Sequence, residues 1–190
     1  GTKSLRISNA VTSGCFGDQT FSKSLVDAAG EVAADAGLVS GGTRQSHFEA
    51  QWDFASTVPA SEQPGLAVVA SPDRGDGARM SWIQMADTPA GLAVNFYDYR
   101  DEHVAGTNTN LADGCGANDD FFLTNIASGL DRTAPHTIKV SMDFLEGPRN
   151  DVVRVWVDGA LVHTDTSWED YFRYCEATDT SRTVDSILFR

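Results

Sequence analysis

The run His47–Phe54 (HFEAQWDF) carries the densest set of chemically able side chains in the sequence. In an extended chain it turns Phe48, Ala50, Trp52 and Phe54 one way and His47, Glu49, Gln51 and Asp53 the other. Same-face neighbours then lie about 7 Å apart along the strand. A His–Glu pair so placed can move a proton to and from a bound substrate, with His47 and Glu49 as acid and base and Asp53 beside them. Strand rise puts Glu49 and Asp53 roughly 13 Å apart. That exceeds the spacing of about 6.5–9.5 Å that lets two carboxylates flank a glycosidic bond in an inverting hydrolase. A two-carboxylate mechanism within this strand is therefore disfavoured. Ligand contact and a plain solvated face remain as the competing readings.

A second polar stripe alternates with the apolar Val153, Val155 and Val157. It consists of Arg154 and Trp156, and Lys139 and Ser141 have the same parity on the preceding strand pattern. An indole stacks on the apolar face of a pyranose, and a guanidinium bonds hydroxyls or a carboxylate. The opposing expectation is that Trp156 is covered by the aromatic insertion SWEDYFRY, which brings Trp168, Tyr171 and Phe172. A third stripe is Asn95, Tyr97 and Tyr99, suited to sugar contact and equally suited to packing beneath the segment that follows it.

Other chemistries lack their residues. There is no G-x-S-x-G elbow, no H-E-x-x-H, no phosphate-binding loop and no dinucleotide fingerprint, and the four histidines are scattered at 47, 103, 136 and 163. Asp113, Asn118, Asp119 and Asp120 cluster without the spacing of a Ca²⁺ loop. Cys15, Cys115 and Cys175 match no zinc or redox pattern. One disulfide with a free thiol, Cys15–Cys115 being favoured for its Gly-flanked surroundings, competes with three unpaired thiols.

These stripes need sheets to hold them. The chain of 190 residues has 41% hydrophobic residues, a net charge of −13 and a pI near 4.5. That charge repels phosphate backbones and anionic membrane surfaces and favours solubility and cations. No apolar run approaches the about 20 residues of a membrane helix. The opening at Gly1 without a leader reads as a trimmed or mature fragment. Strand patterns are expected at Lys3–Asn9, His47–Phe54, Leu66–Ser71, Arg79–Ala86, Gly91–Arg100, Phe121–Ile126, Thr137–Leu145, Val152–Val157, Leu161–Thr164 and Thr183–Arg190. Asp158-Gly159 is a two-residue hairpin signal. Only Lys23–Ala36 has helical spacing, and Asp101–Asp120 reads as a long loop. With no helix–strand alternation, no linker and no repeat, residues 1–190 are expected to form one all-β domain, a two-sheet antiparallel β-sandwich.

The opening SLRISN, the central HFEAQWDF, the hairpin NDVVRVWVDGALVHT and the closing TVDSILFR together resemble the concanavalin A-like jelly-roll superfamily. The hairpin is similar to that of laminin-G-like modules, and the closing strand to that of laminarinase-type sandwiches. The sequence departs from the E-x-D-x-x-E strand of laminarinases and from the Arg-Glu, Gln-x-His and Tyr strands of alginate-lyase-type enzymes. The resemblance thus implies the fold and leaves function open. It also implies a structural Ca²⁺ held by an Asp of the final strand, here Asp185. The resulting expectation is a non-catalytic carbohydrate-binding or adhesion module of a larger extracellular or cell-surface bacterial protein. Its partner would be a carbohydrate or a protein, with no nucleic acid and no membrane insertion. Glu49, Gln51, Arg154, Trp156, Tyr97, Tyr99 and Lys139 would line one concave sheet face. The alternatives are a polysaccharide-degrading hydrolase or lyase using Glu49 and His47, and a purely structural domain.

Overall fold

A computed structural model describes residues 3–7, 20–22, 46–73, 79–100, 120–145, 147, 150–172, 184 and 186–190. Ten strands occur among them: β1 (Thr20–Phe21), β2 (His47–Phe54), β3 (Ala67–Asp73), β4 (Trp82–Thr88), β5 (Gly91–Arg100), β6 (Asp120–Leu130), β7 (His136–Asp143), β8 (Val152–Val157), β9 (Ala160–Asp165) and β10 (Ser186–Phe189). They form a six-stranded sheet of order β1-β10-β3-β4-β5-β6 and a four-stranded sheet of order β2-β7-β8-β9. Every pairing is antiparallel. The fold is a two-sheet antiparallel β-sandwich.

Period-2 alternation builds the layer between the sheets. Phe48, Ile138, Val140, Met142, Val153 and Val155 from the four-stranded sheet meet Ala70, Ile83, Met85, Val94, Phe96 and Ile187 from the other. Trp52 crosses the gap, with its ring edge-on to Phe189 at 6.2 Å and its Nε1 donating to Met85 Sδ at 3.3 Å. Because these residues point inward, their strand neighbours must point outward, so each sheet presents one alternate-residue face away from the core.

Turn chemistry sets the register. Asp158 and Gly159, at φ of 51° and 81°, make the tight β8–β9 turn expected of Asp-Gly. Asp158 Oδ1 accepts from Thr137 N–H at 2.9 Å, and its Oδ2 lies 2.7 Å from His136 Nδ1. His136 Nε2 lies 2.9 Å from the Asp131 carbonyl. Both ring nitrogens thus face acceptors, which favours the doubly protonated ring. Burial pulls the His136 pKa down, but the Asp158 and Asp131 bonds outweigh it and leave the value raised. At the β4–β5 turn, Gly91 has a φ of 128°, and a Cβ there would stand 2.6 Å from the Leu130 carbonyl oxygen. Asp87 pins the nearby segments by accepting from Arg132 Nε at 2.6 Å and Gln63 N–H at 2.9 Å.

Some expectations need correction. Residues 3–7 join neither sheet, and Leu5 is exposed. Alternation there permits a strand, but a strand also needs a partner edge. β6 runs to Leu130, past the expected end at Ile126, because two register shifts carry it around a bulge against β5. The stretch expected to be helical (23–36), the residues 101–119 of the expected long loop, Asp185 and the three cysteines lie outside the described residues.

Candidate functional site

The outer face of the four-stranded sheet gathers most of the expected site. Register pairs His47 with Asp143, Glu49 with Ser141, Gln51 with Lys139 and Asp53 with Thr137. On the next strand Ser141 pairs with Arg154, and Lys139 with Trp156. The charges satisfy one another. Glu49 Oε2 lies 2.7 Å from Lys139 Nζ, and that ammonium sits 5.0 Å from the Trp156 ring centroid. Asp143 takes Arg154 NH1 at 2.7 Å on one oxygen and faces His47 Nδ1 at 2.6 Å on the other. The bonds from Arg154 and then His47 hold the Asp143 carboxyl below its usual range. Thr137 Oγ1 donates to Asp53 at 2.6 Å.

This closed lattice weakens two readings. A pyranose stacking on Trp156 has to share the indole with Lys139, and Arg154 is already committed to Asp143. His47 and Glu49 are solvent-exposed and tied to different β7 partners, so no bridging group links them as an acid/base pair. The aromatic insertion does not settle on Trp156. Trp168 instead packs on Trp82 and Phe121, at 5.9 and 4.5 Å.

Tyr97 and Tyr99 are not on this face. They lie on β5, in the other sheet, pointing away from the core on the opposite side of the sandwich. Tyr99 is buried against Phe121 and Tyr171 at 5.0 and 5.4 Å. A single face uniting Trp156 with Tyr97 and Tyr99 is therefore corrected. Strand parity is a local property, and it says nothing about which sheet a strand joins.

The outer face of the six-stranded sheet carries a different constellation. Gln84, Asn95 and Asn125 stand abreast on β4, β5 and β6. Asn125 Nδ2 donates to Asn95 Oδ1 at 2.8 Å and to the Ala127 carbonyl at 3.0 Å. Asn95 Nδ2 donates to Gln84 Oε1 at 2.9 Å. The backbone carbonyl fixes the whole ladder. It demands a donor, so Asn125 turns its NH₂ inward; Asn95 must then offer its oxygen to Asn125 and its nitrogen to Gln84. The Gln84 NH₂ is left as an outward donor over β4, and the Asn125 Oδ1 as an outward acceptor over β6. Neither has a partner among the described residues.

The adjoining row is Trp82, Tyr97 and Leu123, paired across the same strands. The Trp82 and Tyr97 rings lie 5.1 Å apart and are half-buried, and Leu123 is 51% exposed, so the row opens to solvent toward β6. The Trp82 Nε1 is buried without a hydrogen-bond partner among the described residues. On the other side of the ladder, Ala86 and Ala93 keep the face low. Gln84, Asn125 and Trp82 were missed in the sequence, although WIQMAD alternates in the required way.

A short turn after β9 braces this row. Trp168 Nε1 donates to the Tyr97 carbonyl at 2.9 Å, and Trp168 N–H donates to the Met80 carbonyl at 2.9 Å. The next residue, Glu169, is buried, and its Oε1 accepts from the N–H groups of Asn150 and Asp151 at 2.8 and 3.0 Å. Ser167 Oγ donates to Asp151 Oδ2 at 2.5 Å. Burial first, and the like charges of Asp151 and Asp170 with it, outweigh the two backbone bonds and push the Glu169 carboxyl up to about 7. Among the described residues no three His, Cys, Asp or Glu side chains are arranged to hold a metal ion.

No protein-family model matches the chain, and no curated protein matches it. Among solved structures it is similar to the endo-β-1,4-glucuronan lyase from the fungus Trichoderma reesei, at 13% identity over 92% of this chain and 85% of that one, with a TM-score of 0.39. So loose a superposition has no bearing on the site.

Proposed function

We propose that this protein is a concanavalin A-like sandwich that binds a carbohydrate chain on the outer face of its six-stranded sheet, without transforming it. The observation that supports this reading is the polarised ladder Gln84–Asn95–Asn125, with an open donor at one end and an open acceptor at the other. Sugar hydroxyls donate and accept at once, so a mixed row of this kind suits them. Trp82, Tyr97 and Leu123 supply the apolar strip against which the C–H face of a sugar packs. The ladder also holds its geometry before any ligand arrives, which lowers the ordering cost of binding.

Polysaccharide cleavage by a lyase or hydrolase is the second reading. Its support is the neighbourhood of Gln84 and Tyr97: an amide donor for a sugar carboxylate lies one row from a phenol able to carry a proton. Glu49 and His47 are not the acid and base in this reading, since they lie on the opposite sheet.

A glycan array run beside reducing-sugar and unsaturated-product assays tests both. Binding without turnover, lost in Tyr97→Ala and Asn95→Ala, is expected. Turnover abolished by Tyr97→Phe would replace the binding reading with the second. Binding untouched by either alanine variant would remove this face from consideration.

A further inference from the structure

We propose that this face takes the end of a glycan chain rather than its interior, with the terminal sugar over Trp82 and Gln84 and the rest of the chain leaving across β6. This rests on the reading of the six-stranded sheet as the binding face.

The two rows set the direction of the ligand. Gln84, Asn95 and Asn125 follow one another across β4, β5 and β6, and Trp82, Tyr97 and Leu123 run parallel to them one row away. A pyranose has an apolar C–H face and a rim of hydroxyls. Laid on the aromatic row, it turns part of that rim toward the amides. The next sugar finds the same pair of surfaces only on the neighbouring strand, so the chain crosses the strands instead of following one. From β4 to β6 the rows span two strand spacings, about 10 Å, which is room for roughly two sugars. Asn95 is buried, and its amide is spent within the ladder, so the contacts fall to Gln84 and Asn125.

The two ends of the rows differ. Toward β3 the ladder meets Val69, which pairs with Gln84, and the aromatic row meets Ser71, two residues on along the same face. Leu188 pairs with Ser71, and Ser186 with Asp73, so these side chains share the outward direction of Val69. All of them are buried, and Leu188 is 0% exposed. A leucine that points away from the core is sealed in this way only when further protein atoms lie over it. The outer face is therefore covered at β3 and β10. Toward β6 the exposure rises. Trp82 and Tyr97 are half-buried, Leu123 and Asn125 are exposed, and β6 is the last strand of the sheet among the described residues. A chain lying along the rows leaves freely over β6 and is stopped at β3. An internal segment needs two exits, whereas a terminus needs one. The outward NH₂ of Gln84 then donates to a hydroxyl or ring oxygen of the terminal sugar, and Asn125 Oδ1 accepts from a hydroxyl of the sugar beside it.

The test counts the protein molecules bound per glycan chain. Calorimetry is run with linear hexasaccharides of the laminari, manno, xylo, malto and alginate series, and with the long linear polymer of each. In whichever series binds, one protein per chain is expected for hexasaccharide and polymer alike, with the same affinity per chain. Gln84→Glu keeps an oxygen to accept from Asn95 and loses the outward donor. It should weaken both lengths by about fivefold, the loss of one neutral hydrogen bond, and leave the melting temperature unchanged. A number of bound proteins that grows with chain length, with Tyr97→Ala and Asn95→Ala still defective, would overturn end recognition and leave the face as the binding site. One protein per chain with Gln84→Glu neutral would overturn the placing of the terminal sugar. Binding that survives Tyr97→Ala and Asn95→Ala, or no binding in any series, would overturn the face and this inference together.

Discussion

Glu169 gives the sharpest test of how the sandwich is braced. Its carboxyl is 1% exposed and accepts two backbone N–H groups from the β7–β8 connection. In the unfolded chain it releases its proton near 4.5, and in the folded protein only near 7. Between those values the folded state binds the extra proton, so stability falls as pH rises through the window and stays lower above it. A difference of that size corresponds to about 3 kcal/mol at alkaline pH. Glu169→Gln keeps the acceptor oxygen and removes the charge. The two backbone bonds are already included in that folded value, so they subtract nothing further. The variant should therefore lie within about 1 kcal/mol of the natural protein near pH 5 and exceed it by roughly 3 kcal/mol at pH 8.5. Urea unfolding followed by tryptophan fluorescence at pH 5, 6, 7 and 8.5 reads the difference directly. A difference that stays flat with pH, or a variant less stable at pH 8.5, would refute the reasoning.

Three further outcomes are expected. His136, whose pKa is raised on balance by Asp158 and Asp131, stabilises the fold fully below its unfolded value of 6.5, and that contribution is lost as pH rises through the folded value; an NMR titration of its ring should give a midpoint above 6.5. Trp168→Phe keeps most of the packing and loses the bond to the Tyr97 carbonyl, so it should cost about 1 kcal/mol, whereas Trp168→Ala should cost about 3–5 kcal/mol in the same denaturant assay. Asp143→Asn removes the partner of both His47 and Arg154, yet the pairs are a third or more exposed, so chemical denaturation should register less than about 1 kcal/mol.

The sequence alone determined the sandwich, because alternation and turn residues are local signals. HFEAQWDF became β2 over the same eight residues. Asp158-Gly159 made the expected turn, since only a few residue types tolerate positive φ there. The inward sets of β2, β7 and β8 were legible for the same reason, as was the grouping of Glu49, Gln51, Lys139, Arg154 and Trp156 along one parity. Sheet membership was decided only by the tertiary structure. It sent Tyr97 and Tyr99 to the side of the molecule opposite Trp156. It closed the β2 face into ion pairs that no spacing announces. It also brought Gln84, Asn95 and Asn125 abreast from three strands up to 41 positions apart. Parity fixes the direction of each side chain relative to its own strand. Only the pairing of strands determines which side chains meet, and the candidate site is made of such meetings.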